Sequence, residues 1–132
     1  MEASPEGAKL GCTAPLLVVD DDEAFRKAMC AALADEGYHV AAAADGVEAM
    51  QHLRSEQKPR LVLLDLMMPR MNGWKVLNEL RNDAALAAVP VIVISAGGRA
   101  TLGSAPGAFA YFAKPFDWYA VLETVQQLCG AA

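Results

Sequence analysis

The 132-residue sequence holds only three cysteines, Cys12, Cys30 and Cys129, too far apart for a C-x-x-C pair and odd in number. This argues against a disulfide framework or a structural zinc site and suits a reducing cytoplasm. No hydrophobic run approaches the roughly 20 residues that cross a bilayer. Residues 1–14 lack the basic-then-apolar order of a secretory leader and read as a loose lead-in. There is no basic excess either. Eleven Lys and Arg stand against 16 Asp and Glu, a formal charge of -5, which leaves little to displace counterions from nucleic-acid phosphates or to hold an anionic membrane. What the sequence does have is core material. It is 55% hydrophobic and 20% charged, and a chain of this length forms one domain that buries roughly two-thirds of its extended-state surface.

From Pro15 onward, short apolar runs alternate with amphipathic stretches. The run Leu16-Leu-Val-Val19 is apolar without alternation, as in a strand covered on both faces. Residues 22–36 follow as a helix, with Phe25, Met29 and Leu33 at helical spacing, Asp22 as N-cap and Gly37 after the C-cap. The pattern predicts a second strand over 38–43, a helix over 46–57 with Val47, Met50 and Leu53 inward, and a third strand over 60–65. It continues with a helix over 73–87, a strand over 89–95, a strand over 109–113 and a closing helix over 116–129. Alternation of strand and helix implies a parallel sheet with helices on both faces, a single doubly wound α/β domain.

Ligands of such sheets sit beyond the carboxyl ends of the strands. The predicted strands end in Asp20 and Asp21, in Asp65, in Ser95 and in Lys114. Three carboxylates on one edge repel one another unless a proton or cation intervenes. Oxygen donors without His or Cys suit Mg²⁺, which takes one or two carboxylates and keeps water and phosphate oxygens as further ligands. A carboxylate nucleophile, a cation, an ammonium and a hydroxyl form a set suited to phosphoryl transfer, with Asp65 as acceptor. Singly, each group also has a plain structural role. Asp20 to Glu23 can cap a helix and complement its dipole, Ser95 can cap, and Lys114 can be solvated. Aromatics such as Tyr111 and Phe112 commonly fill a core, and strand alternation sends these two to opposite faces.

The motifs LLVVDDD (16–22), LVLLDLMMPRMNG (61–73), VIVISA (91–96) and YFAKPF (111–116) carry a resemblance. From Pro15 to Cys129 the chain resembles the receiver domain of two-component response regulators. The resemblance implies a five-stranded parallel sheet in the order 2-1-3-4-5, with residues 15–130 as the receiver domain. It implies a bacterial, cytoplasmic signalling domain rather than a turnover enzyme. Asp65 would accept a phosphoryl group from a phosphohistidine on a histidine kinase or histidine phosphotransfer protein. Mg²⁺ would be held by Asp20, Asp21, Asp65 and the backbone carbonyl of Met67. Lys114 would contact the phosphoryl group, Ser95 would reorient toward it, and Tyr111 would follow as an aromatic switch. The Lys114-Pro115 bond is expected to be cis. The output would be an unidentified protein target, with no direct nucleic-acid or membrane contact.

The sequence departs from the family in residues 97–108, GGRATLGSAPGA, where a receiver places its fourth helix. Glycines and Pro106 oppose a stable helix there, so that helix is expected to be short, displaced or absent. Asn72 stands where Asp is common. Two alternatives stay open: a receiver-like interaction module that signals without phosphorylation, and an aspartate-nucleophile phosphohydrolase of the haloacid dehalogenase type using Asp20. The latter leaves Asp65 without a task.

Overall fold

A computed structural model of the protein describes residues 14–68, 71–96 and 107–130. Five strands, β1 (Leu16–Val19), β2 (Val40–Ala43), β3 (Leu61–Leu64), β4 (Val91–Ser95) and β5 (Ala110–Ala113), form one sheet in the order β2-β1-β3-β4-β5, every pair parallel. Four helices occur among the described residues: α1 (Glu23–Asp35), α2 (Gly46–Leu53), α3 (Gly73–Asn82) and α4 (Trp118–Cys129).

The unbroken apolar character of the central strands has a direct cause. Leu17 and Val19 of β1, Val62 and Leu64 of β3, and Val91 and Val93 of β4 join one core with Ala49, Met50 and Leu53 of α2 and Val76, Leu77 and Leu80 of α3. The intervening residues Leu16, Val18, Leu61, Leu63, Ile92 and Ile94 join a second core with Met29 and Leu33 of α1 and Val121, Leu122 and Val125 of α4. Each such side chain contributes about 1.5–3 kcal/mol on burial, so neither face of these strands tolerates a polar residue. Polar chemistry is therefore displaced to the strand ends.

Each helix opens on a polar cap. Asp22 accepts from the Phe25 amide, Asp45 from Glu48, Asn72 from Lys75 and Asp117 from Tyr119. Glu48 reaches back to accept from the Ala44 amide at 2.9 Å, completing a reciprocal box with Asp45. Gly37, at φ 98°, ends α1 in the left-handed region, as its position after the cap predicts.

Element bounds differ from the pattern at several places. Helix α2 stops at Leu53, short of Gln57, because the Ser55 hydroxyl and amide both turn onto the His52 carbonyl. Helix α3 stops at Asn82, short of Ala87: Asp83 is extended, its carboxylate accepts from the Ala85 amide, and a separate turn buries Leu86. Helix α4 begins at Trp118 behind its Asp117 cap, not at Phe116. Strand β2 begins at Val40, and Tyr38 is instead a buried plug ahead of it. Val47, expected in the core, is exposed. The expectation of a disrupted helix over 97–108 falls mostly outside the described residues; Gly107 lies in a turn at φ 96° and Ala108 is non-helical. Among the described residues, no helix is long and apolar enough to cross a membrane.

Candidate functional site at the carboxyl ends of the strands

Register builds the site. Val19 pairs with Leu64, so the next residue of each strand, Asp20 and Asp65, stands on neighbouring strands at the same height. The Asp65 amide donates to the Val19 carbonyl at 2.9 Å, which keeps the two strands together to their ends. On the other side, Ser95 pairs with Ala113 and accepts the Lys114 amide at its carbonyl, 2.9 Å. The residues predicted from four separate strand ends therefore converge. Asp20, Asp21 and Asp65 each offer a carboxylate oxygen within 4.8 Å of the others.

The three carboxylates are not equivalent. Asp20 is buried and pinned at both oxygens, Oδ1 accepting from the Asp22 amide at 2.9 Å and Oδ2 from Lys114 Nζ at 2.6 Å. Asp21 lies exposed at the rim. Asp65 keeps only 7% of its side-chain surface exposed; its Oδ1 accepts from the Met67 amide at 3.2 Å, its side chain hydrogen-bonds Ser95, and its Oδ2 is 4.0 Å from Lys114 Nζ. Burial pushes the Asp65 carboxyl above its usual range, and the neighbouring Asp20 charge adds to this. The Met67 amide, Lys114 and Ser95 pull the other way. Two like charges 4 Å apart near a protein surface repel by about 4 kcal/mol, and among the described residues Lys114 pairs with Asp20 and Asp65 while Asp21 adds a third carboxylate to the group. An all-oxygen set with surplus negative charge fits a hard divalent cation.

Two glycines shape the loop that follows Asp65. A Cβ at Gly73 would strike the Asp65 carbonyl and come within 2.6 Å of Leu66 Cα, while the Gly73 amide donates to the Leu66 carbonyl at 3.0 Å. A Cβ at Gly46 would strike the Met71 carbonyl and lie 2.7 Å from Met71 Cβ. Helices α2 and α3 therefore start directly against the segment after β3, which holds Asp65 in place.

The remaining predicted residues are placed as follows. Met67 is exposed beside Asp65, and Met68 is buried. Lys114 precedes a cis Pro115, as the resemblance implies. Phe112 packs on the core shared by α1 and α4, whereas Tyr111 is exposed. Asp22 and Glu23 stay outside the carboxylate set, Asp22 as the cap and Glu23 in an exposed pair with Lys27. Two neighbours escaped the sequence reading. Phe25 places its ring centroid 4.0 Å from Lys114 Nζ, and Arg26 Nη1 donates to the Asp20 carbonyl at 2.8 Å. Their signal was present: both lie one helical turn beyond Asp22, and hence over the strand ends.

With this geometry in view, residues 16–126 match the response regulator receiver domain, and the chain belongs to that family. It is 34% identical over 115 residues to Protein PilH of Pseudomonas aeruginosa, covering 85% of this chain and 94% of that protein. It is 36% identical over 116 residues to the DNA-binding dual master transcriptional regulator RpaA of Synechocystis, covering 86% of this chain and 48% of the relative. The chain spans about half the length of several curated relatives it matches. Among solved structures, response regulator protein TrrA of Thermotoga maritima, in complex with Mg²⁺ and BeF, gives a TM-score of 0.76 at 33% identity, covering 86% of this chain and 97% of that one. A response regulator receiver protein from Pseudomonas putida gives 0.79 at 28%, covering 86% and 96%. Family membership makes this a signalling domain of two-component systems.

Proposed function

We propose that residues 15–130 act as a phosphoryl-accepting receiver, with Asp65 as the acceptor, a phosphohistidine of a histidine kinase or phosphotransfer protein as donor, and a downstream protein as target. The observation that carries this reading is the convergence of Asp20, Asp21 and Asp65 within 4.8 Å, with Lys114 reaching both Asp20 and Asp65.

Asp20, Asp21, Asp65 and the Met67 carbonyl would hold Mg²⁺. When bound, the ion supplies positive charge between the carboxylates and the phosphoryl oxygens. An Asp65 oxygen forms its bond to phosphorus as the P–N bond of the donor breaks, and the imidazole nitrogen keeps the electron pair. The chain contributes placement and charge. The Met67 amide and Ser95 orient the Asp65 carboxylate and favour its ionised form, the form that attacks. Lys114 pairs with the phosphoryl oxygens once they arrive. Ser95 then turns from the carboxylate to a phosphoryl oxygen, and Tyr111, two residues before the register partner of Ser95, responds on the edge strand.

The slight exposure of Asp65 favours the second reading, a receiver-like module that signals without phosphorylation. Incubation with Mg²⁺ and acetyl phosphate decides between them. The expected outcome is a mass gain of one phosphoryl group, absent in Asp65→Asn. A wild-type chain that stays unmodified would favour the passive module. Steady turnover of a phosphate ester that depends on Asp20 would favour the phosphohydrolase.

A further inference from the structure

Lys114 carries a compact ammonium on a flexible four-carbon stem, so what fixes the head group matters more than what fixes the backbone. Two of its contacts are carboxylates, Asp20 at 2.6 Å and Asp65 at 4.0 Å. The third is the face of Phe25, whose centroid lies 4.0 Å from Nζ, within the range of a cation–π attraction. The ring is itself held. It meets Phe116 edge to face, with centroids 5.9 Å apart and planes at 82°, and it packs against the core that Met29 and Leu33 help to form. Its backbone amide is fixed by the Asp22 cap at 3.2 Å, and the adjacent Arg26 ties the same helical turn to the Asp20 carbonyl.

We propose that Phe25 is a positioning residue for Lys114: its ring face seats the ammonium between Asp20 and Asp65. The inference rests on Asp65 being the acceptor. Its physical reason lies in what the three contacts share with other ligands. Both carboxylates are to share their charge with a metal ion and a phosphoryl group, whereas the attraction of the ring does not depend on carboxylate charge. The ring therefore keeps the ammonium at the rim, facing Asp65, when its ionic partners are drawn elsewhere. An ammonium without that seat relaxes toward water, in which it is strongly hydrated.

The first test uses no metal and no phosphodonor. In protein labelled at lysine, the ε-methylene protons of Lys114 should be shifted upfield by the ring current in the wild type and in Phe25→Tyr, and should return to ordinary lysine positions in Phe25→Leu. With Mg²⁺ and acetyl phosphate, Phe25→Leu should form the acyl phosphate roughly three- to tenfold more slowly, and Phe25→Tyr at close to the wild-type rate. In a Lys114→Ala background, Phe25→Leu should cause no further loss. Replacing Phe25 by pentafluorophenylalanine keeps the shape and removes the negative ring face, so it keeps the test available if Phe25→Leu fails to fold; it should slow the reaction as Phe25→Leu does. Ordinary Lys114 positions in the wild type, or a fluorinated ring that leaves the rate unchanged, would make Phe25 a core residue only and overturn the proposal. A ring-shifted Lys114 in a wild type that takes up no phosphoryl group would instead overturn the acceptor reading, and with it the kinetic part of this one.

Discussion

Both ends of the sheet lay a cation on an aromatic ring, and the partners differ. At the carboxyl end, Lys114 Nζ sits over Phe25 and among carboxylates. At the amino end, Arg60 Cζ lies 5.4 Å from the Tyr38 centroid, and its Nη1 donates to the Cys129 carbonyl at 3.3 Å, while the Tyr38 hydroxyl donates to the Gly130 carbonyl at 2.6 Å. These carbonyls are the negative end of the α4 dipole. Arg60 Nε and Nη2 are buried with no hydrogen-bond partner among the described residues. The amino-end pair thus ties the last helix to the sheet with backbone acceptors whose charge never changes. The carboxyl-end pair involves carboxylates, whose charge changes with protonation and, in the proposed function, with metal and phosphoryl group. The difference teaches that similar ring-and-cation chemistry can meet acceptors of fixed charge at one end of the sheet and titratable acceptors at the other.

Mutations at the two ends can break that contrast. The largest effect is expected from Lys114→Ala, which should slow phosphorylation by acetyl phosphate about a hundredfold and leave Mg²⁺ binding intact in a titration. Lost metal binding would mean that Lys114 organises the carboxylates rather than serving the phosphoryl group. Asp21→Ala should weaken Mg²⁺ about tenfold or more by calorimetry, since two carboxylates must then hold the ion; unchanged affinity would remove Asp21 from the ligand set.

At the amino end, Tyr38→Phe should cost about 1 kcal/mol of stability in urea unfolding and leave the phosphorylation rate unaltered. A slowed rate would show that the two ends are coupled. The smallest effect concerns pH. The Asp65 carboxyl is raised by burial, so folding favours its protonated form. That contribution is present below its unfolded value, near 3.8, and is lost as pH rises through the folded value. In the absence of metal, Asp65→Asn should therefore melt above the wild type at neutral pH, with the gap closing as pH falls toward 4. A gap independent of pH would place its origin outside the ionisation of Asp65.

Much of this was legible in the chain itself. Non-alternating apolar runs such as Leu16–Val19 and Leu61–Leu64 identify strands covered on both faces, because only such strands exclude polar residues from both periodic positions. The ends of four strands then name Asp20, Asp21, Asp65, Ser95 and Lys114, since burial forces polar groups to the point where the sheet stops. The helix ends at Leu53 and Asn82 were not legible. They depend on the Ser55 and Asp83 side chains competing with the backbone ladder, a choice between near-equal local hydrogen bonds that hydrophobic periodicity does not register.

Tertiary structure alone decided which charges touch. The parallel register of β1 with β3, and of β4 with β5, carries Lys114 across 94 residues of chain onto Asp20, closer than to Asp65. It also laid Phe25 under the ammonium and set Gly73 against the backbone of Asp65 and Leu66. Hydrophobic pattern specifies which faces are buried, a property each segment carries by itself. Distances between side chains of different segments, and the desolvation that raises the Asp65 carboxyl, exist only once those segments are packed together.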